Sequence, residues 1–215
     1  NQAYAVAIQT DGKILLAGRN DTLAGLQASY DVAVVRLNVD GSYATSFDSD
    51  GTVTTDLGGS GDVAYALKLQ PDGKIFVGGT GTAANFSQNF ALVRYNSDGS
   101  LDPSFGTGGV VLTPTTNGLA EFHSLLLQPD AKIVGAGFAR VGTQNDFAIV
   151  RYNADGALDT GFGIAGKVTT SIETNSVDTG LAAVLQTDNK IIVVGTSLTT
   201  TNSNLALVRY LPNGS

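Results

Sequence analysis

Short apolar runs alternate with polar turns along the whole chain, and no stretch shows the apolar spacing that is typical of a helix. The pattern is clearest between residues 63 and 113, where proline, aspartate and glycine mark the turns. Proline fixes φ at the start of such a turn, and glycine accepts a positive φ further on. The runs predict four short β-strands, the last one broken by glycines, at residues 63–69, 74–79, 90–95 and 101–113.

Two sequence markers recur with a period of about 58 residues. The first is Gln-Thr/Pro-Asp-X-Lys, and its aspartates are Asp11, Asp72, Asp130 and Asp188. The second is Val-Arg-Tyr/Leu, and its arginines are Arg36, Arg94, Arg151 and Arg209. The markers divide the chain into four repeat units, at residues 3–62, 63–120, 121–179 and 180–215. The last unit ends before its fourth predicted strand.

Four short strands cannot bury their apolar faces alone, so neighbouring units are expected to stack. We therefore predict an all-β fold, namely a β-propeller-like array of four blades whose last blade is incomplete. We expect the four blades to form a single repeat domain over residues 1–215. An open β-solenoid is the alternative architecture.

Residues 70–79 and 90–106 carry a pattern that resembles the delta-60 repeat, a family of bacterial β-propeller repeats of unknown function. The matching letters are Gln-Pro-Asp-Gly-Lys-Ile and Phe-Ala-Leu-Val-Arg-Tyr-Asn-X-Asp-Gly-Ser-Leu-Asp-X-X-Phe-Gly. The chain is also distantly similar to NHL-type blades. The resemblance implies a propeller within large surface or secreted bacterial proteins, and it implies no activity. Unit one departs from the pattern at Ala44, where the repeat has Asp, and at Asp48, where it has Gly.

Charge and composition narrow the range of partners. The net charge is −7 and only 14% of the residues are charged. An acidic surface repels phosphate backbones, so nucleic acid is not an expected partner. No apolar run is long enough to insert into a membrane. The lack of Cys, the low Lys and Glu content and the abundant Thr, Ser, Asn and Gly favour a secreted or cell-surface location.

The recurrent arginines are best interpreted as structural, because a charge within packed strands needs a partner. A guanidinium can bond a carboxylate in bidentate fashion. The predicted partners are the equally recurrent aspartates Asp11, Asp72, Asp130 and Asp188. A ring of ligand-binding arginines is the alternative interpretation.

The turn after the third strand places oxygen atoms at alternate positions, as in a calcium-binding loop. The candidate ligands are Asn96, Asp98 and Asp102 in unit two and Asn153, Asp155 and Asp159 in unit three. Asx turns explain the same residues without a metal. Calcium is therefore a candidate ligand, and no other cofactor is expected.

Segments that differ between units lie between the second and third strands, and they are predicted to be loops. Function often resides in variable loops on a rigid scaffold. The candidate ligand-binding residues there are Leu23, Leu26, Tyr30, Phe86, Phe138 and Arg140. Protein or glycan is the expected partner, and self-association is a further possibility.

No asymmetric cluster of catalytic groups is visible. The single histidine, His123, lies on an alternating strand at a position where other units have tyrosine, so we expect an aromatic packing role. We predict a non-catalytic binding or adhesion scaffold. A structural subunit that assembles through its incomplete edge is the first alternative, and a carbohydrate-active enzyme is the second.

Overall fold

The structure is a computed structural model of the chain, and it describes residues 1–24, 27–83, 85 and 87–215. Side chains are not described at residues 22–24, 27 and 28. The described residues form fifteen strands in four antiparallel sheets, each of which we call a blade. The all-β prediction is confirmed, and so is the incomplete last blade, which has three strands where the others have four. No helix within the described ranges has the length and apolar character needed to cross a bilayer.

The strands follow each other across each sheet in chain order. Blade 1 consists of β1 (Gln2–Ile8), β2 (Ile14–Ala24), β3 (Gln27–Leu37) and β4 (Thr52–Thr55). Blade 2 consists of β5 (Val63–Leu69), β6 (Ile75–Thr82), β7 (Gln88–Tyr95) and β8 (Val110–Thr113). Blade 3 consists of β9 (Ala120–Leu127), β10 (Ile133–Val141), β11 (Gln144–Tyr152) and β12 (Lys167–Thr170). Blade 4 consists of β13 (Val177–Leu185), β14 (Ile191–Leu198) and β15 (Ser203–Tyr210).

The predicted loops between second and third strands are mostly β-structure. In blade 3, β10 and β11 pair from Ile133↔Tyr152 to Val141↔Gln144, so only two residues form the turn. In blade 1, the register of β2 and β3 continues to Ala24↔Gln27. Polar residues in these segments suggested loops, but the hairpins extend beyond the packed core, where polar side chains in a strand remain solvated. The prediction of long loops was wrong for these two blades.

The turn between the first two strands of every blade is closed by its aspartate. The carboxylate Oδ1 of Asp11, Asp72, Asp130 or Asp188 accepts the backbone N–H of the lysine two residues later, at 3.1–3.3 Å. This is the geometry of an Asx turn. The third turn position has a positive φ in all four blades, at Gly12, Gly73, Ala131 and Asn189.

A β-bulge shifts the register between the first two strands of each blade. A glycine on the second strand lies against the bulge. A Cβ added to Gly137 would lie 1.9 Å from the carbonyl oxygen of Glu121, and Gly18, Gly79 and Gly195 show the same spacing to their own bulges. The side chain is excluded there by close backbone approach.

The chain divides into two compact units, residues 1–113 with blades 1 and 2 and residues 114–215 with blades 3 and 4. We call the contact between the two blades of a unit a seam. Within the first unit β5 packs against β1, β2 and β3, and within the second unit β13 packs against β9, β10 and β11. The structure therefore adds a level of organisation, two blades per unit, to the predicted single repeat domain.

Each seam buries one face of each blade. We call the face that packs on the following blade the forward face and the face that packs on the preceding blade the rear face. In the first unit, the forward face of blade 1 contributes Leu15 and Val34, and the rear face of blade 2 contributes Val77 and Val93, all at most 1% exposed. In the second unit, Ile149 of blade 3 and Val193 of blade 4 belong to one cluster of buried residues.

Candidate functional site

The recurrent arginines lie in a cage built by their own blade. Arg94 Nε is 2.7 Å from Asp102 Oδ2, Arg94 Nη2 donates to Ser104 Oγ at 2.9 Å, and its guanidinium lies 4.5 Å from the Phe105 ring centroid. Lys74 Nζ reaches the same carboxylate oxygen at 2.7 Å. Asp102 therefore meets two cations while it is only 3% exposed.

Blade 3 repeats this cage with Arg151, Asp159, Lys132 and Phe162. Arg151 Nε and Lys132 Nζ lie 2.7 Å and 3.0 Å from Asp159 Oδ2. Burial alone would raise the pKa of both aspartates, but bonds from lysine and the charge of arginine outweigh it. The pKa values of Asp102 and Asp159 therefore lie below the usual 3.8.

The predicted partners of Arg94 and Arg151 were wrong. Asp72 and Asp130 fold back on their own turns as Asx residues, whereas Asp102 and Asp159 bind the guanidinium of their blades. Both aspartate positions recur with the arginines, so the period alone could not distinguish them. The sequence held one clue to the correct aspartate. Blade 1 has Ala44 where blades 2 and 3 have Asp102 and Asp159, so its cage lacks the carboxylate.

Blade 1 shows what that loss does. Ala44 lies at the position of Asp102, because its N–H donates to the Arg36 carbonyl at 2.9 Å as the Asp102 N–H does to Arg94. Within the described part of the chain, the buried Nε of Arg36 has no hydrogen-bond partner. Lys13 pairs instead with Asp11 of its own turn. Lys190 likewise pairs with Asp188 at 2.7 Å in the three-stranded blade 4.

The same arginines connect successive blades. Arg36 Nη1 donates to the Ser97 carbonyl of blade 2 at 2.7 Å, and Arg151 Nη1 donates to the Pro212 carbonyl of blade 4 at 2.6 Å. Ser97 and Pro212 hold the same position in the turn after the third strand. We call this bond the arginine latch. It passes from the forward face of one blade to the next blade.

A second bond crosses each seam at its outer strand. Thr55 Oγ1 and the Tyr95 hydroxyl are 2.6 Å apart, and the Tyr210 hydroxyl donates to Thr170 Oγ1 at 2.9 Å. Burial raises the pKa of both tyrosines, so they stay protonated and able to donate.

Three carboxylates meet at the seam of the first unit. Oxygen atoms of Asp31, Asp56 and Asp62 lie within 4.8 Å of one another. Asp62 is fully buried, and its two oxygens accept the N–H groups of Leu57 and Thr82 at 2.7 and 2.8 Å. Burial raises the pKa of Asp62, and the charges of Asp56 and Asp31 raise it further. Asp62 thus caps the linker between blades 1 and 2.

The second unit has carboxylates at the same repeat positions, Asp146 and Asp178. Asp178 is fully buried, and its Oδ2 accepts the N–H of Ile172 at 2.7 Å. Burial raises the pKa of Asp146, and the negative charge of Asp178 raises it further. Neither pair, Asp31 with Asp62 or Asp146 with Asp178, was predicted from the sequence, because each acid resembled a turn residue. Their recurrence two repeats apart was the usable signal.

The predicted calcium ligands are occupied by other donors. Asp98 Oδ1 accepts the N–H and hydroxyl of Ser100 at 3.0 and 2.6 Å, while Asn96 donates to the same hydroxyl. Asp155 Oδ1 accepts the N–H of Ala157 at 2.9 Å, and Asn153 lies at the start of that turn. Asp102 and Asp159 point into the arginine cages. The geometry favours the Asx-turn interpretation, and calcium at these turns stays a prediction.

The predicted ligand-binding residues differ in whether the structure describes them and in how far they are exposed. Leu26 and Phe86 lie outside the described residues, and so does the side chain of Leu23. Phe138 is only 8% exposed, and its ring stacks on the His123 ring with 5.8 Å between the centroids. The stacking places His123 in the aromatic packing role expected of it, with Nε2 3.3 Å from Glu121.

Tyr30 and Arg140 remain accessible candidates. The Arg19 guanidinium lies 4.1 Å from the Tyr30 ring centroid, and Asp21 is 3.1 Å from Arg19 on the same hairpin. Arg140 is exposed near the end of β10. These two hairpins carry charged and aromatic groups outside the seams.

Two apolar blade faces are exposed. On the forward face of blade 4, Leu205 is 85% and Leu207 is 59% exposed, whereas the matching Phe147 and Ile149 of blade 3 are fully buried. On the rear face of blade 1, Val6 is 65% and Ile8 is 71% exposed. A cavity of about 290 Å³ lies on the same sheet, lined in part by Leu16 and Val35. Arg209, which holds the latch position of blade 4, is exposed as well.

Comparison with known proteins identifies the fold family. The model of the family "Domain of unknown function (DUF5122) beta-propeller" matches residues 9–47, 70–105, 128–162 and 186–215, so the chain belongs to this β-propeller family. No curated protein matches the sequence. The likenesses to delta-60 and NHL repeats stay predictions.

One solved structure supports the fold, and two others are more distantly similar. A crystal structure of an unknown-function protein from Dyadobacter fermentans DSM 18053 is similar over 99% of this chain and 66% of its own, with a TM-score of 0.59 and 11% identity. A mannose phosphorylase, MPT-4, from Leishmania mexicana has a TM-score of 0.47 and 15% identity, over 97% of this chain and 61% of its own. A GH43_12 protein from a capybara gut metagenome has a TM-score of 0.48 and 12% identity, over 95% of this chain and 38% of its own. The chain thus spans about two thirds or less of the length of these structures.

Proposed function

We propose that this chain is a non-catalytic structural module in which an exposed face of blade 4 and an exposed face of blade 1 each accept a matching blade, supplied in the purified chain by a second copy. The observation that carries the proposal is the exposure of Leu205 and Leu207, at repeat positions that are fully buried in blades 2 and 3. Exposed apolar patches of this kind mark interaction surfaces.

The two end faces are complementary in the way that the internal seams are. Blade 4 offers leucines and the latch donor Arg209, and blade 1 offers Val6 and Ile8. The turn of blade 1 that would receive the latch is open, because nothing lies within 4 Å of a Cβ added to Gly41. At the internal seams, the matching Gly99 and Gly214 are covered by Phe47 and Phe162 at 3.1 Å.

The test is the mass of the purified chain by light scattering over a range of concentrations. The wild type is expected to exceed 22.0 kDa as concentration rises. The double variant Leu205→Ser, Leu207→Ser should remain at the mass of one chain, because it removes apolar area from the forward face only. Ile164→Ser is the matched control, since Ile164 is 86% exposed but lies outside both end faces. A wild-type monomer at every concentration would refute the proposal.

A second candidate function is binding of protein or glycan by the hairpins, as an extracellular adhesion scaffold. It is supported by the blade 1 hairpin, whose β2 and β3 have 11 residues each against 8 in β6 and β7. The stacked Arg19 and Tyr30 provide an amphipathic contact surface on it. Location at the bacterial cell surface or outside the cell belongs to this proposal.

Immobilised glycans and surface proteins probed with the labelled wild-type chain test this candidate. Tyr30→Ala should abolish the captured signal, and Tyr43→Ala, at an exposed tyrosine elsewhere in blade 1, should leave it unchanged. Equal capture by both variants would reject the hairpin as the binding surface.

The proposal of a non-catalytic module is supported by the fixed structural roles of Asp102 and Asp159, which leave these recurrent acids no free carboxylate pair.

A further inference from the structure

Two fully buried polar atoms lie on one face of blade 4 in the second unit. Asp178 on β13 and Ser197 on β14 are paired directly across the two strands, so their side chains lie on the same face. Both residues are 0% exposed. Asp178 Oδ1 and Ser197 Oγ have no hydrogen-bond partner among the described residues. Such atoms cost free energy unless an ordered water or a ligand satisfies them.

Asp146 is the second carboxylate, and it holds the repeat position of Asp31, whose oxygen lies within 4.8 Å of that of Asp62 in the first unit. Asp146 is 9% exposed, and its charge interacts with that of Asp178. Among the ion pairs formed by the described residues, none joins a cationic side chain to Asp146 or Asp178. Two buried like charges without a counter-charge are unfavourable, and either a proton or a cation must neutralise them.

The equivalent seam of the first unit differs at the positions of Ser197 and of the free Asp178 oxygen. Gly79 and Gly195 occupy the same bulge position, so Ser197 corresponds to Gly81, which has no side chain. There the Thr82 N–H satisfies Asp62 Oδ1 at 2.8 Å. In the second unit, the oxygen that corresponds to it remains free, and a hydroxyl has been added beside it.

We propose that Asp146, Asp178 and Ser197 form a buried calcium site at the seam between blades 3 and 4. All the donors are oxygen atoms, which Ca²⁺ prefers, and two of them carry the negative charge that the ion needs. Backbone carbonyls complete such a shell readily because calcium geometry is flexible. Mg²⁺ fits less well, since it retains several waters and demands octahedral geometry. Calcium would stabilise the seam, because the ion would join strands of both blades.

The test counts Ca²⁺ ions bound per chain by calorimetric titration of metal-free protein, with Mg²⁺ as the comparison ion. Asp178→Asn should bind one Ca²⁺ fewer than the wild type, and Ser197→Ala should bind the same ion more weakly. Asp188→Asn is the matched control, because it removes the same charge from an exposed Asx turn of the same unit. Calcium should raise the melting temperature of the wild type and the control, and it should not raise that of Asp178→Asn.

Three results would overturn the proposal. They are a wild type that binds no Ca²⁺, equal numbers of ions in the wild type and Asp178→Asn, and loss of the ion in Asp188→Asn. If Asp178→Asn does not fold, Asp146→Asn takes its place with the same expected loss. A shared proton in place of calcium would leave the wild-type melting temperature independent of Ca²⁺, which also counts against the site.

Discussion

The arginine cage explains at the level of single residues why Arg, Asp, Lys and Phe recur together. In blade 2, Asp102 balances Arg94 and Lys74, and Phe105 covers the guanidinium. Breaking a buried ion pair by removal of one partner costs more than the pair contributes, because a buried charge is left unbalanced. Blade 1 already has this defect at Ala44, and its Arg36 Nε lacks a partner within the described chain.

Ala44→Asp should therefore stabilise the protein. The remaining cage members, Arg36, Lys13 and Ser46, are in place, and Arg36 Nη2 already donates to Ser46 Oγ at 2.9 Å. We expect the free energy of unfolding to rise by about 1 kcal/mol, measured by urea denaturation. Thr45→Asp adds the same charge at the next, exposed position and should have little effect. A destabilised Ala44→Asp chain would show that the cage cannot accept the carboxylate.

Asp102→Asn should destabilise the chain by about 3 kcal/mol at neutral pH. The pKa of Asp102 is lowered in the folded state, so its contribution is present above the unfolded pKa of about 4 and is lost as pH falls below it. The difference in unfolding free energy between the wild type and the variant should therefore shrink on acidification. Denaturation curves between pH 7 and pH 2 measure it, and a constant difference would contradict the role of the ion pair.

The sequence could predict that the arginines are structural, but not which aspartate they bind. Asp72 and Asp102 recur with the same period, and only the folded turn shows that Asp72 bonds its own backbone while Asp102 reaches the guanidinium. The cluster of Asp31, Asp56 and Asp62 was equally hidden, because the three residues belong to different elements and meet only when blades stack.

At the level of strands, prediction was most successful where period and turn chemistry agreed. The strand β5 has the predicted bounds 63–69, and β8 begins after the glycines that were expected to break the fourth strand. It was least successful at the hairpin ends, where Thr, Gly and Asn pair as strand residues. The bulge next to each first strand was also not foreseen, since it depends on a contact between backbones.

Gly137→Ala tests that backbone contact. The added Cβ would lie 1.9 Å from the Glu121 carbonyl oxygen, so β9 and β10 would have to separate. We expect a loss of at least roughly 2 kcal/mol in the free energy of unfolding. Gly161→Ala is the control in the same unit, because its nearest atom is 3.4 Å away. Equal stabilities of the two variants would show that the bulge adapts without strain.

At the level of the whole molecule, the two exposed faces differ, because blade 4 exposes a forward face and blade 1 exposes a rear face. A forward face of one copy that binds the rear face of another is a heterologous contact, which generates closed rings or open filaments depending on the rotation between copies. The acidic net charge of −7 opposes uncontrolled association in low salt.

Mixing two face-specific variants should reveal this heterologous contact. Leu207→Asp places a charge on the forward face, and Val6→Asp places one on the rear face. Each variant alone should remain a monomer, because the contact needs one intact face of each kind. Their equimolar mixture should form a dimer and nothing larger, as measured by light scattering. Association of either variant alone would show that the contact does not join forward and rear faces.

Each latch joins a blade only to the blade that follows it, so protection of backbone amides from solvent exchange is set seam by seam. The strands β3 and β11 lie inside seams, held by Arg36 and Arg151. The strand β15 has its forward face in solvent and pairs with β14 alone. In an isolated copy, deuterium therefore enters β15 earlier than β3 and β11, and a stacked neighbour slows the exchange of the β15 amides.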